Sequence, residues 1–265
     1  MPIIMRKTYI YTVRPGETVY SIAQRYRSSV QEILRINYLI PPVSDHGLIY
    51  PGNVLIVPDL STAGRVSYIV NWGEVFNKIA FRFSTPLELL SGINSIANPN
   101  VINPNQQINV PAFIYEIELG DTLAGIANRF DLSLVNLIRA NQGRPGFSVD
   151  VIWPGYQLVL PLPTTRNIVV WNPLPGTRVV NGQRITGQAR AFEATILHQL
   201  RDMNGVIVSN ERFTSADAGA PAYGNFYSSI PFDRFPTTSR GELWVYTRSA
   251  NDGSIQDLIR TVVYF

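Results

Sequence analysis

The chain of 265 residues contains no cysteine, which excludes disulfides and thiolate metal sites. Lysine is scarce as well: Lys7 and Lys78 are the only two. Charged residues make up 15% of the chain and the net charge is +3. With no cluster of basic residues, the electrostatic footprint of a nucleic-acid binder is missing. No run reaches the roughly 18 apolar residues that a membrane-spanning helix needs. The opening MPIIMRKTYIYTV has a short apolar patch but no leader-type apolar region followed by a small-residue cleavage site. Glycine and proline are plentiful, 19 each, beside 45% hydrophobic residues. That mixture describes packed domains of many short elements joined by turns. The length points to two or more such domains.

Catalytic constellations are also lacking. His46 and His198 stand far apart in the sequence, without metal-ligand spacing. Carboxylates in the last hundred residues occur singly, and nothing nominates the facing pair that glycoside hydrolysis requires. Ser228 and Ser229 have no nucleophile-elbow glycines around them. No phosphate-cradling loop is present, and no cofactor, metal site or catalytic residue is expected.

The informative feature is an internal repeat. RPGETVYSIAQRY (14–26) has counterparts in NWGEVFNKIAFRF (71–83) and LGDTLAGIANRF (119–130). Aligned on Gly16, Gly73 and Gly120, an Ile-Ala pair follows six residues on, an aromatic ten on, and Asn37, Asn94 or Asn141 twenty-one on. Each copy ends in a segment with two prolines seven apart: IYPGNVLIVP, INPNQQINVP and IWPGYQLVLP. Repeats at fixed offsets take precedence over any other fold reading. Each unit reads as strand, helix, helix, strand with its own small core. Thr18 and Thr122 are candidate helix N-caps. Val19, Ile22, Ala23 and Tyr26 share one helical face, as do Leu123, Ile126, Ala127 and Phe130. The three asparagines are expected to close the second helix in the left-handed conformation.

These units resemble LysM domains, on YTVRPGETVYSIAQRY, NYL and LIYPGNVLIVP in the first copy and YEIELGDTLAGIANRF, NQG and VIWPGYQLVLP in the third. The expected boundaries are 9–59, 67–113 (degenerate) and 114–163. Beyond the Pro/Thr-rich joint at 161–167 the helical pattern gives way to about seven strand-like runs with Met-Asn-Gly and Asn-Asp-Gly hairpin turns. Residues 168–265 therefore read as an immunoglobulin-type β-sandwich, with Trp171 and Trp244 as candidate core anchors. They resemble the immunoglobulin-like domain of bacterial sporulation and germination proteins. The fold class expected is α+β multidomain: three βααβ repeats and a C-terminal all-β sandwich.

The LysM resemblance implies a βααβ module that binds glycans containing N-acetylglucosamine, in a shallow groove between the turn into the first helix and the loop into the last strand. Carried over by position, the groove residues are Gly16, Glu17, Thr18, Val19, Ile49 and Tyr50 in the first copy. In the third they are Gly120, Asp121, Thr122, Leu123, Ile152 and Trp153. A glycine turn lets backbone approach a ligand closely, and an aromatic offers a stacking face. In the second copy Val75 replaces the threonine and Asn105 replaces the glycine of the later turn, so that copy is expected to be a spacer or an assembly surface. The implied protein is a non-enzymatic binder of peptidoglycan, spore cortex or a chitin-like polymer, located in the cell wall or spore envelope. Without a visible leader it would be made in the mother cell of a sporulating bacterium. Residues 168–265 would face a spore or wall protein partner, with no nucleic acid and no membrane span involved. The alternative is a structural protein of a coat or filament that uses the same surfaces for protein contacts.

Overall fold

The computed structural model describes residues 3–265. A short strand β1 (Ile3–Ile4) precedes the repeats. Repeat 1 comprises β2 (Thr8–Thr12), α1 (Val19–Arg25), α2 (Val30–Ile36) and β3 (Val54–Pro58). Repeat 2 comprises β4 (Val66–Ile69), α3 (Phe76–Arg82), α4 (Leu87–Ile93) and β5 (Gln107–Asn109). Repeat 3 comprises β6 (Ala112–Glu116), α5 (Leu123–Arg129), α6 (Leu134–Asn141) and β7 (Gln157–Pro161). The apolar positions expected to face inward do so: Val19, Ile22, Ala23, Leu123, Ile126, Ala127 and Phe130 are all buried.

The repeats do not keep separate cores. Repeats 1 and 2 share one four-stranded sheet in the order β3-β2-β4-β5, with the central pair parallel and Ile10 opposite Tyr68. Side chains alternate across a strand, and the alternation here separates the helices. Tyr9, Tyr11, Leu55 and Ile69 pack with Val19 and Ile22 of α1. Ile10, Val54, Ile56 and Tyr68 pack with Phe76 and Ile79 of α3. The helices of the two repeats thus cover opposite faces of the sheet, which explains why TYIYT, VLIVP and VSYI lack a polar face. In repeat 3, β1 adds to β6 and β7, with Ile3 opposite Tyr115.

The asparagines do not take the left-handed role. Asn37 and Asn94 have φ of −104° and −110°, and Asn141 ends its helix; Tyr38, Ser95 and Gly143 carry the positive φ instead. Each asparagine amide imitates a strand partner. Asn37 Nδ2 donates to the Ile33 and Ile56 carbonyls while its Oδ1 accepts from Ile56 N–H. Asn94 does the same with Leu90 and Asn109, and Asn141 with Leu137 and Val159. A buried polar group needs such satisfaction, and here it ties the second helix to the last strand.

Repeats 1 and 3 meet at Arg144, which is 4% exposed. It donates to Asn141 Oδ1 at 3.0 Å, to Asn37 Oδ1 at 3.2 Å and to the Gln157 carbonyl, and lies over the Tyr156 ring. Burial pushes its pKa down to about 10, so the guanidinium stays charged at neutral pH. Arg35 reaches Glu116 across the same junction at 3.2 Å.

The C-terminal region is a sandwich of seven strands: β8 (Ile168–Asn172), β9 (Gln183–Ala189), β10 (Thr195–Asp202), β11 (Ile207–Ser215), β12 (Gly224–Ile230), β13 (Arg240–Arg248) and β14 (Ile255–Tyr264). One sheet runs β11-β10-β13-β14 and the other β12-β9-β8. Their core gathers Val170, Ile185, Leu200, Phe226, Val245 and Ile259. Neither tryptophan anchors it. Trp171 is buried against the core of the repeats, with the Arg65 guanidinium 4.2 Å from its ring. Trp244 is half-buried between Arg201 and Arg260, at 4.1 and 4.8 Å. Both sites are where a strand's outward face meets something other than the sandwich interior. The sandwich docks on repeat 2 through Tyr223, whose ring occupies the place a Cβ on Gly92 would take, 2.0 Å from its nearest atom. An Arg166–Glu88 ion pair at 2.8 Å lies at the same junction.

Arg144→Ala removes three charge-assisted hydrogen bonds from a buried site. It is expected to cost about 3 kcal/mol in urea unfolding. His198 supplies a second prediction. It is buried in β10, with Nε2 2.7 Å from Ser228 Oγ. Burial, and then the Arg212 charge, lower its pKa from 6.5 to about 4. The unfolded chain therefore takes up this proton first as pH falls. Stability is complete above about pH 6.5 and declines towards pH 4 by about 3 kcal/mol. Chemical denaturation of wild type and His198→Gln across that window should show the wild type losing about 3 kcal/mol more than the variant, whose remaining decline comes from carboxylates such as Glu17 and Glu211 held below their ordinary pKa.

Candidate functional site

Each repeat builds the same turn from its own hydrogen bonds. In repeat 1, Gly52 N donates to the Val13 carbonyl and Val13 N to the Asn53 carbonyl, at 2.9 and 2.8 Å. These bonds hold the turn entering α1 beside the loop entering β3. Repeat 3 repeats them with Gly155, Ile117 and Tyr156. Repeat 2 uses Asn105, Val70 and Gln106. Asn105 adopts φ +70°, close to Gly52 at +93° and Gly155 at +87°. Asparagine tolerates that region, so the turn survives without glycine, while the replacement of the capping threonine by Val75 remains.

The acidic residue of each turn faces inward. Glu17 accepts from Tyr11 Oη at 2.7 Å, from Arg14 N at 3.0 Å and from Arg25 at 2.5 Å. Asp121 accepts from Tyr115 Oη at 2.6 Å, from Glu118 N at 2.9 Å and from Arg129 at 2.7 Å. Glu74 accepts from Tyr68 Oη and from Asn71 N. In repeat 2 the arginine, Arg82, turns away to the Gln142 carbonyl of repeat 3. Burial raises the Tyr11, Tyr68 and Tyr115 pKa values, and the adjacent carboxylates add to the rise. Burial works against the Glu17 anion, but the bonds from Tyr11, Arg14 and Arg25 outweigh it and lower its pKa. Glu17 and Asp121 are thus braces of the turn rather than free acceptors. The spacing Tyr, acid six later, arginine eight after that is legible in the sequence at 11/17/25, 68/74/82 and 115/121/129.

The other expected groove residues divide by exposure. Thr18 and Thr122 are exposed and cap their helices, accepting from Ser21 N at 3.1 Å and Gly125 N at 2.9 Å. Val19 and Leu123 are buried. Gly16, Gly120 and Tyr50 are open to solvent, and Ile49 and Ile152 are half-buried. Trp153 lies against Tyr38 of repeat 1, ring centroids 6.2 Å apart, and Tyr38 Oη donates to the Pro154 carbonyl. In repeat 2 the equivalent place holds a cleft of about 160 Å³, walled by Val75, Phe76, Leu87 and Ile102 and edged by Glu74, Asn77 and Asn100. Val75 stands at the N-cap of α3 without a side-chain bond. Among the described residues no group of three or more His, Cys, Asp and Glu could hold a metal ion. Nor is any helix long and apolar enough to cross a membrane.

Thr122→Ala is expected to lower stability by about 1 kcal/mol and Val75→Thr to raise it by about the same, both in chemical denaturation.

Comparison with known proteins accords with this geometry. A LysM domain model matches residues 11–58, 68–111 and 115–161, more than half of the chain. A model of the immunoglobulin-like domain of bacterial spore germination matches residues 167–254. An esterase of Mycobacterium tuberculosis is 32% identical over 139 residues, covering 50% of this chain and 29% of the esterase. The N-acetylmuramoyl-L-alanine amidase sle1 of Staphylococcus aureus is 25% identical over 181 residues, 56% of this chain and 51% of the amidase. The chain therefore spans about half or less of these relatives. A crystal structure of the Bacillus cereus spore cortex-lytic enzyme SleL shares 31% identity over 42% of this chain and 23% of that one, with a TM-score of 0.30. With three matched copies of the βααβ unit joined to a germination-type sandwich, the chain belongs to the LysM family.

Proposed function

We propose that the protein is a non-catalytic binder of wall glycan containing N-acetylglucosamine, located in the cell wall or spore envelope. The carrying observation is the repeat 2 cleft. Its apolar walls suit the methyl of an acetamido group, and the side-chain amides of Asn77 and Asn100 suit the polar atoms of the sugar. The open turns at Gly16 and Gly120 offer further contacts, with Thr18, Tyr50 and Thr122 beside them. Weak grooves on one rigid body gain from effective concentration on a repeating polymer, by about 10²–10⁴ when the spacing fits. The domain boundaries near 9–59, 67–113, 114–163 and 168–265 mark the units of this arrangement.

The sandwich offers a separate surface for a protein partner. Phe213 on the edge strand β11 and Phe235 in the loop before β13 are 75% and 89% exposed. The same side chains favour a second reading, in which the chain assembles into a coat or filament.

Co-sedimentation with insoluble peptidoglycan tests the first reading. The protein should pellet, soluble chito-oligosaccharides should release it, and Val75→Trp, which fills the cleft from an exposed position, should weaken binding at least tenfold. Retention of full binding by Val75→Trp would remove repeat 2 from the account. Concentration-dependent oligomers by light scattering, without pelleting, would favour assembly.

A further inference from the structure

Merging two repeats into one sheet creates a second concavity, which shares no lining residue with the cleft of repeat 2. It measures about 320 Å³ and lies between the end of α1 and the edge strand β5. Its aromatic floor is Tyr9 and Tyr26, ring centroids 4.8 Å apart. Lys7 Nζ sits 5.2 Å from the Tyr9 centroid. Arg25 and Arg27 stand on the repeat 1 side, and Asn105 and Gln107 on the repeat 2 side. Arg25 is paired with Glu17. Neither Lys7 nor Arg27 has an ion-pair partner within 4.0 Å among the described residues. Asp59 is the carboxylate lining this cleft; its Oδ1 is engaged by Ser61 N and Oγ at 2.9 and 2.6 Å, and these bonds, with the Arg27 charge nearby, lower its pKa. Asn105 Oδ1 accepts from Arg14 at 2.7 Å and Gln107 Nε2 donates to Ser67 Oγ at 2.9 Å, so the polar atoms these two side chains can offer a ligand are Asn105 Nδ2 and Gln107 Oε1.

We propose that this cleft binds an anionic sugar unit, with its oxyanion between Lys7 and Arg27 and its ring over Tyr9 and Tyr26. Lys7 and Arg27, neither of them in an ion pair within 4.0 Å, outnumber the one carboxylate of the cleft, Asp59, and call for a further negative charge. Aromatic faces call for the C–H side of a ring, and amides on the far wall call for hydroxyls. The volume is at the lower end of small-ligand sites, enough for one sugar. The oxyanion can be the carboxylate of a sugar acid or the phosphate of a polyol phosphate; both present charged oxygens beside hydroxyls. The site exists only where β2 and β4 pair, so it belongs to the joined repeats and to neither alone.

The test uses the full chain and three probes at low salt: N-acetylmuramic acid, glycerol 3-phosphate and neutral N-acetylglucosamine. Binding is followed by NMR shifts of the Asn105 and Gln107 side-chain amides. At least one anionic probe should bind saturably and weaken as salt rises, and the one that binds identifies the source. Lys7→Gln and Arg27→Gln should each weaken it about tenfold. Both changes are at the surface and leave the core intact. Val75→Trp should leave the anion response unchanged, which separates this site from the groove of repeat 2. The proposal is overturned if neither anion saturates, if both variants bind like wild type, or if the neutral sugar produces the same shifts.

Discussion

The parallel pairing of β2 with β4 is the constraint on which the molecule depends. A βααβ unit alone covers one face of a two-stranded sheet and leaves the other bare. Placing two such units side by side, helices on opposite faces, covers both faces of four strands at once. Ile10, Val54 and Ile56 belong to repeat 1 by sequence and to the interior of repeat 2 by packing. The stabilisation from burying apolar area, roughly 25 cal/mol per Å², is therefore shared between repeats that would be marginal alone. Repeat 3 shares the same apolar cluster and adds a polar contact to repeat 1, the guanidinium of Arg144 set among two asparagines that each already serve their own repeat.

That packing also governs how the turns are presented. β2 and β4 run in the same direction, so their following turns emerge at one end of the sheet. Arg14 of the first turn reaches Asn71 and Asn105 of the second at 3.3 and 2.7 Å. The two turns are fixed relative to one another by side-chain bonds as well as by the sheet. Repeat 3 is held with its aromatic loop against Tyr38. The three turns are thus tied to one another by contacts between repeats rather than carried on tethers.

Much of this was legible in the sequence. The fixed offsets of glycine, Ile-Ala, asparagine and paired prolines defined three βααβ units, and the turn-separated strand runs after residue 167 defined the sandwich. The merging of sheets was harder, because strand periodicity says which residues alternate and not what lies across the bare face. Its trace was the absence of alternation in TYIYT and VSYI. Backbone preference alone points the asparagines to the left-handed region, but their side-chain amides, which bridge helix and strand, decide their place. Trp171 was assigned to the sandwich because it lies in its first strand, yet it points toward the repeats. At the site, position identified the turns but not the direction of Glu17 and Asp121. The tyrosine and arginine at constant spacing around them were the available signal.

The pairing of Ile3 with Tyr115 brings together residues more than a hundred positions apart. Tandem modules ordinarily fold one after another as they leave the ribosome. Here the N-terminal strand must wait for β6 to be synthesised, and Val54 waits for the Gly143 carbonyl that receives its N–H. Repeat 1 thus stays incomplete until repeat 3 has emerged, and long-range closure of this kind is slow. The three repeats are consecutive in the gene but complete one another's packing, so a nascent chain interrupted before Ile114 would leave its first strand without a place to go.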